Sequence, residues 1–194
     1  MLELIQGDAI LTTARLCLEP LTPQHARQLF PILTDHQIYT YIPDDPPTDV
    51  ASLTARYQQL ATRASPEGDE LWLNWALKRR HEADYIGVVQ ATLTANQPAY
   101  LAYLLGSAFW RHGYAQEACT RLLMLLFGSY RSACVQAEVD TRNQASWTLL
   151  ERLGFTRTAL RPAADYFKGS SSDEYTYELT KADWQRRTAS QPEP

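Results

Sequence analysis

The sequence predicts an α/β chain of the α+β kind, built on a mixed, mostly antiparallel central sheet of six to seven strands with helices on both faces. Three observations carry that expectation. Apolar and alternating runs follow one another over residues 71–105 with only turn residues between them, which predicts an antiparallel meander. Helical and strand periods then alternate from 113 to 160, which predicts a sheet covered by helices. The 194 residues are 45% apolar and 21% charged, enough for one sizeable core, and no repeat or linker divides them. A single domain over 1–187 with a disordered tail at 188–194 is therefore expected.

The elements follow in order. Residues 1–14 read as a lead-in, and Arg15–Leu21 alternates as a strand. Thr22 and Pro23 are a cap and first-turn pair for a helix ending near Leu33. A short helical piece is expected over Asp35–Ile42, before Pro43 and the pair Pro46-Pro47. Thr48 is expected to cap a helix with Val50, Leu53, Tyr57, Leu60 and Ala61 on its apolar side. Strands are expected at Leu71–Arg79, Tyr85–Leu93 and Tyr100–Leu105, then a helix from Gly113 to Phe127 whose stripe is Ala115, Ala118 and Cys119, Leu122 and Leu126. A strand at Cys134–Val139, a helix at Asn143–Leu153 stopped by Gly154, and strands at Phe155–Leu160 and Glu174–Leu179 complete the series.

Bulk properties exclude several classes. A net charge of −4 and pI near 5.6 disfavour a nucleic-acid-binding surface, which needs clustered Lys and Arg. The densest apolar stretch, Leu122–Phe127, is far short of the roughly 20 residues of a membrane span. Met1–Ala9 has no basic start or long apolar run, so no signal peptide is expected. Three cysteines, Cys17, Cys119 and Cys134, lack metal-type spacing and fit reduced thiols in the cytoplasm, and no metal is expected.

Two segments carry chemistry. In the first, a strand runs into Arg111-His112-Gly113-Tyr114-Ala115-Gln116, and glycine opens a helix. Unpartnered N–H groups and the helix dipole make such a start an anion site, and glycine lets the anion approach. The turn lacks the Gly-Lys-Ser/Thr of a P-loop and the three glycines of a dinucleotide fingerprint, while a plain loop-to-helix junction remains open. The second segment is Asn143-x-x-Ser146, with Gly154-Phe155 closing the helix. Asn143 is an N-cap candidate. Ser146 shares a stripe with Leu149, Leu150 and Leu153 and needs a partner, either a carbonyl of its own helix or a ligand.

Together, Trp110-Arg-His-Gly-Tyr-Ala-Gln-Glu-Ala118 and Asn143-x-x-Ser146 followed by Gly154-Phe155 resemble the GNAT acetyltransferase superfamily over about residues 15–184. The branch typified by ribosomal-protein alanine N-acetyltransferases is the most similar. The resemblance implies splayed strands forming an acetyl-CoA cleft. It places the pantetheine arm against Tyr103, Leu104 and Leu105, the phosphates against the backbone of Arg111–Gln116, Asn143 on pantetheine or substrate, and Ser146 near the sulfur. It also implies a backbone N–H near Leu105 as oxyanion donor, and it admits a homodimer. Trp110 replaces the usual Gln or Arg and adds no charge. Leu150 stands where many members carry a tyrosine acid, which makes Ser146 the replacement candidate.

The implied reaction is attack of a neutral amine on a thioester. At pH 7, neutralising an α-amine costs about 1.4 kcal/mol and a lysine ε-amine about 4.6 kcal/mol, which favours the former. Glu138 is the base candidate if it is desolvated or acts through water; the competing reading is a surface residue. Tyr39, Tyr41, Trp72 and Asn74, with Trp75, are candidates for an acceptor cleft, though aromatics at this spacing also fill cores. Asp44, Asp45, Asp173 and Glu174 are acids that attract a cationic amine, or belong to solvated loops. The expected function is acetyl-CoA-dependent transfer to a primary amine, on a protein N-terminus or a small molecule. The rivals are a catalytically weak acyl-CoA sensor or interaction domain, and a nucleotide-binding protein of another fold.

Overall fold

The computed structural model describes residues 9–189, so most of the lead-in and residues 190–194 of the expected tail lie outside the described residues. Eight strands form one sheet in the order β1-β2-β3-β4-β5-β6-β8-β7. They are β1 (Leu11–Thr12), β2 (Leu16–Pro20), β3 (Glu70–Arg79), β4 (Tyr85–Thr94), β5 (Ala99–Leu105), β6 (Cys134–Asp140), β7 (Thr156–Phe167) and β8 (Ser170–Thr180). The helices are α1 (Ala26–Leu33), α2 (Val50–Leu60), α3 (Tyr114–Gly128), α4 (Gln144–Leu153) and α5 (Lys181–Ala189). Every neighbouring pair is antiparallel except β5 with β6. The strand beyond the expected six to seven is β1, two residues in the lead-in whose Leu11 pairs with Leu18.

The two sheet faces bury separate cores. Leu73, Trp75, Leu77, Val89 and Leu101 pack on one face with Leu122 and Leu126 of α3, and Leu150 and Leu153 of α4. On the other face Ala76 and Tyr85 pack with Leu29, Leu33, Leu53 and Tyr57 of α1 and α2. Each fully buried Leu is worth about 1.5–3 kcal/mol relative to exposure, so both layers are fixed by apolar area. Trp75 lies fully in the first core, with its indole N–H donating to the Ala9 carbonyl at 3.1 Å. The expectation that it lines an acceptor cleft is corrected, because its strand position faces α3 instead.

Local signals account for the element ends. Pro23 opens a short 3₁₀ turn after Thr22, and Asp35 caps a second one at His36–Tyr39 by accepting from the Gln37 N–H. The cap of α2 is Asp49, whose carboxylate accepts from the Ser52 N–H at 2.7 Å, one residue beyond the expected Thr48. Gly154, at φ +99°, ends α4 as expected. The last two strands are longer than the sequence suggested, because Lys168 (φ +51°) and Gly169 (φ +77°) make a tight hairpin turn between them. β7 is an almost wholly exposed edge strand, so its middle lacks the apolar alternation that marks a strand. Helix α5 was also unforeseen. It anchors Trp184 on Phe127, ring centroids 5.8 Å apart, and it carries Thr188 and Ala189 in helical conformation. Among the described residues no helix is long and apolar enough to cross a membrane.

Candidate active site

The turn between β5 and α3 is shaped by two left-handed residues, Arg111 (φ +63°) and Gly113 (φ +80°), which reverse the chain within a few residues. Gly113 is the N-cap residue, and the first N–H bonded inside the helix is that of Glu117, to the Gly113 carbonyl at 3.0 Å. The N–H groups of Tyr114, Ala115 and Gln116 therefore precede the helical ladder and carry the positive end of the helix dipole. Arg111, His112 and Gly113 are exposed beside them.

A residue that the sequence did not single out braces this turn. Arg15 donates from Nη1 to the His112 carbonyl at 2.9 Å and from Nε to Glu117 Oε2 at 2.7 Å, and it lies 4.6 Å from the centre of the Tyr114 ring. Glu117 is held below the usual carboxylate range; burial opposes this, but hydrogen bonds from Thr13 and Arg15 outweigh it. The only sequence signal for Arg15 was its place at the head of the first long strand.

β5 and β6 pair for two residues only, Ala99 with Val135 and Tyr100 with Gln136. Beyond them the strands part. The Gly106 N–H donates to the Ile86 carbonyl at 3.0 Å, so on the alternation of an antiparallel ladder the N–H groups of Tyr103 and Leu105 face away from β4, into the gap. Trp110 closes the other polar group there: its indole N–H donates to the Leu105 carbonyl at 2.8 Å. Thus the residue that cannot supply charge to an anion instead leaves the Leu105 N–H as the free group. Gly87 permits β4 to hold β5 in place, since a Cβ there would sit 2.1 Å from the Leu104 oxygen.

Across the gap, α4 presents Ser146. Its Oγ lies 2.8 Å from the Tyr103 hydroxyl, either oxygen being able to donate. The hydroxyl is thus partnered by another element rather than by a carbonyl of its own helix. Burial pushes the Tyr103 phenol well above its ordinary pKa. Asn143 caps α4, its Oδ1 accepting from the Ser146 N–H at 3.1 Å, and this fixes Ser146 on the first turn. Leu150 is 1% exposed in the core, so no acid occupies that position. One residue before the cap, Arg142 binds the buried Asp140, which also accepts from Ser172 at 2.7 Å. This knot pins the end of β6 and was not legible in sequence, where Asp140 reads as a strand-end acid.

On the opposite face of the sheet lies a cavity of about 310 Å³ between α1, α2 and the loop before α2. Leu104 forms part of its wall, so it adjoins the β5 edge of the gap. Tyr39 and Asn74 line it; Tyr41 and Trp72 do not. The Trp72 indole is taken up by Glu70 Oε2 at 2.8 Å. Asp44 and Asp45 stand at the cavity, whereas Glu174 is paired with Arg161 at 2.6 Å and Asp173 accepts from the Ala163 N–H. Tyr57 and Gln90, which were not among the site candidates, also line it. Glu138 is exposed and sits 3.2 Å from the Arg161 guanidinium. The desolvation that would make it a useful base is absent. Among the described residues no group of His, Cys, Asp and Glu is placed to hold a metal ion.

The chain also resembles known acetyltransferases. The acetyltransferase (GNAT) domain family matches residues 15–156. An uncharacterized N-acetyltransferase of Bacillus subtilis (strain 168), YoaA, is 25% identical over 174 residues, covering 89% of this chain and 97% of its own. The uncharacterized N-acetyltransferase p20 of Bacillus licheniformis is 28% identical over 176 residues, covering 90% and 97%. Among solved structures, the ribosomal-protein-S5-alanine acetyltransferase of Vibrio fischeri superposes with a TM-score of 0.78 at 17% identity, over 91% of this chain and 99% of that one, a likeness of fold. With the family matched over most of its length, the chain belongs to the GNAT acetyltransferases and is an acyltransferase.

Proposed function

We propose that the protein transfers the acetyl group of acetyl-CoA to a primary amine by direct attack in a ternary complex. The observation that carries this is the opened β5–β6 gap: a helix start suited to an anion lies beyond one strand end, unpaired N–H groups line the gap, and a separate cavity meets it at Leu104. The residues fit acetyl-CoA. The N–H groups of Tyr114, Ala115 and Gln116 suit its pyrophosphate, the free edge of Tyr103 and Leu105 suits the amides of the pantetheine arm, and the Leu105 N–H suits the thioester oxygen as it gains charge.

In this reading the Tyr103–Ser146 pair, its oxygens 2.8 Å apart, receives the leaving sulfur. A thiol of pKa about 8.5 is a stronger acid than phenol at about 10, so complete proton transfer from Tyr103 to a departing thiolate is unfavourable by about 2 kcal/mol. Burial of Tyr103 increases that margin. The pair therefore serves as a hydrogen-bond donor to the thiolate, with Tyr103 orienting the Ser146 hydroxyl. On the acceptor side the amine arrives partly neutral, and Glu138 contributes at most through water. An α-amine, as at a protein N-terminus, needs less from the site than a lysine, and the fold relative from Vibrio fischeri is named for an alanine of a ribosomal protein.

Thermal-shift titration with acetyl-CoA, CoA and ATP, followed by thiol release over amines and peptides, tests the reading. Stabilisation by acetyl-CoA and CoA and turnover on at least one amine are expected. Stabilisation by ATP alone would overturn it, and acetyl-CoA binding without turnover on any acceptor would favour a sensor.

A further inference from the structure

Tyr57, one of the residues lining the cavity beside Leu104, carries a buried hydroxyl. Tyr57 is 3% exposed, and its hydroxyl has no hydrogen-bond partner among the described residues. A buried hydroxyl left in this state is destabilising, so it calls for a partner that a bound water or a ligand can supply. Two further neutral groups line the same cavity. Asn74 and Gln90 are directly opposite one another on β3 and β4, on the face that carries Ala76 and Val88. Among the described residues no hydrogen bond joins either side-chain amide to another side chain.

The charges at the cavity cancel. Asp44 lies 3.7 Å from Arg56, and Asp45 lies 3.7 Å from Lys168. Lys168 also donates to the carbonyls of Ile42 and Asp44, at 2.8 and 3.1 Å, so the tip of the β7–β8 hairpin holds this loop in place. Among the described residues lining the cavity, the acids Asp44 and Asp45 stand against one cation, Arg56, which faces Asp44, so the lining offers no net positive charge to a carboxylate. Burial pushes the Tyr39 phenol up to about 12 and raises that of Tyr57 as well, so both phenols stand in low-polarity surroundings. Charged fragments lose more than neutral ones on entering such a space.

We infer that Tyr57, Asn74 and Gln90 read an uncharged hydrogen-bonding group next to the acceptor amine, a carboxamide-type group, and discriminate against a carboxylate at the same place. This rests on the acetyl-transfer reading for the location of the acceptor. A side-chain amide offers both a donor and an acceptor, as a carboxamide does, and a hydroxyl can serve as either. A cavity of about 310 Å³ takes a fragment at the small end of ligand size.

The test compares L-alaninamide with L-alanine, by thiol release for turnover and by NMR line broadening for binding to the CoA-loaded protein. Rates are expressed per neutral amine, because the two amines differ in basicity. A preference for the amide of at least about 30-fold in kcat/KM is expected. Tyr57→Phe should lower amide kcat/KM about 10-fold and alanine kcat/KM by clearly less, so that the selectivity falls, while its Tm stays the same or rises, because the hydroxyl it removes has no partner among the described residues. Gln90→Leu should act in the same direction. Equal use of acid and amide, or unchanged selectivity in both variants, overturns the inference and leaves acetyl transfer standing. Selective amide binding without turnover supports the selective cavity, and acetyl transfer is then decided by the wider screen of amines and peptides. Neither binding nor turnover with either compound overturns the inference.

Discussion

At one end of the β5–β6 gap the groups that face a ligand belong to the main chain; at the other end they belong to side chains. The anion turn and the free edge of Tyr103 and Leu105 offer N–H groups set by backbone angles, by Gly113 and by the point at which pairing stops. The cavity offers Tyr57, Asn74 and Gln90, brought together from α2, β3 and β4. A backbone site fixes one chemistry and tolerates sequence change wherever the angles are kept. A side-chain site is rewritten by single substitutions. The donor half should therefore respond to changes that move the chain, and the acceptor half to changes that keep it still.

The sharpest way to break the donor half is Gly87→Ala. The new methyl carbon would lie 2.1 Å from the Leu104 oxygen and 2.8 Å from the Leu105 Cα, at a φ of +155°. A loss of about 3 kcal/mol in chemical unfolding is expected, with weaker acetyl-CoA stabilisation in the surviving folded fraction. Unaltered stability would mean that β4 does not hold the gap open. Removing the hydroxyl pair comes next. Ser146→Ala should cut kcat by about 10- to 100-fold, the worth of a hydrogen bond to a charged atom, with acetyl-CoA binding retained. Tyr103→Phe should do less, and the double variant should fall short of the product of the two, since both act through one contact. Additive losses would show two independent roles.

A smaller, purely structural effect is expected at the far end of β6. Asp140 is held below the usual carboxylate range: burial opposes this, but hydrogen bonds from Arg142 and Ser172 prevail. A depressed value in the folded state means that its stabilisation is complete above the unfolded value of about 3.9 and is lost as pH falls through the folded one. Asp140→Asn should cost about 1–2 kcal/mol at pH 7 and flatten the decline of Tm below about pH 4. The smallest effect is reserved for Glu138→Gln. Its exposure and its pairing with Arg161 predict a change in kcat/KM within about threefold, and a loss beyond about 30-fold would reinstate it as the base.

The same division governs what the sequence revealed. Gly113, Asn143 and Gly154 were legible because caps and left-handed turns demand particular residue types at particular offsets, and each stands where that demand placed it. The meander and its helices were legible through period. The cavity was only half legible. Tyr39 and Asn74 reach it, but Tyr57 had been absorbed into an apolar stripe and Gln90 into a strand alternation, and neither pattern shows that a polar atom ends without a partner. Arg15 and Asp140 escaped for a related reason, since their partners are distant along the chain or flank a turn of the fold. The extent of β7 escaped because an exposed edge leaves no apolar rhythm.

The contact between Tyr103 and Ser146 has a consequence for how the cleft meets its first ligand. Where the strands part, that 2.8 Å bridge is a cross-strut between β5 and α4, so the opening is framed before anything enters it. An aperture that is already cut asks for little ordering on occupation. Calorimetry of CoA binding should accordingly return a heat-capacity change matched to the ligand surface covered, without the added increment of a segment that folds around its guest.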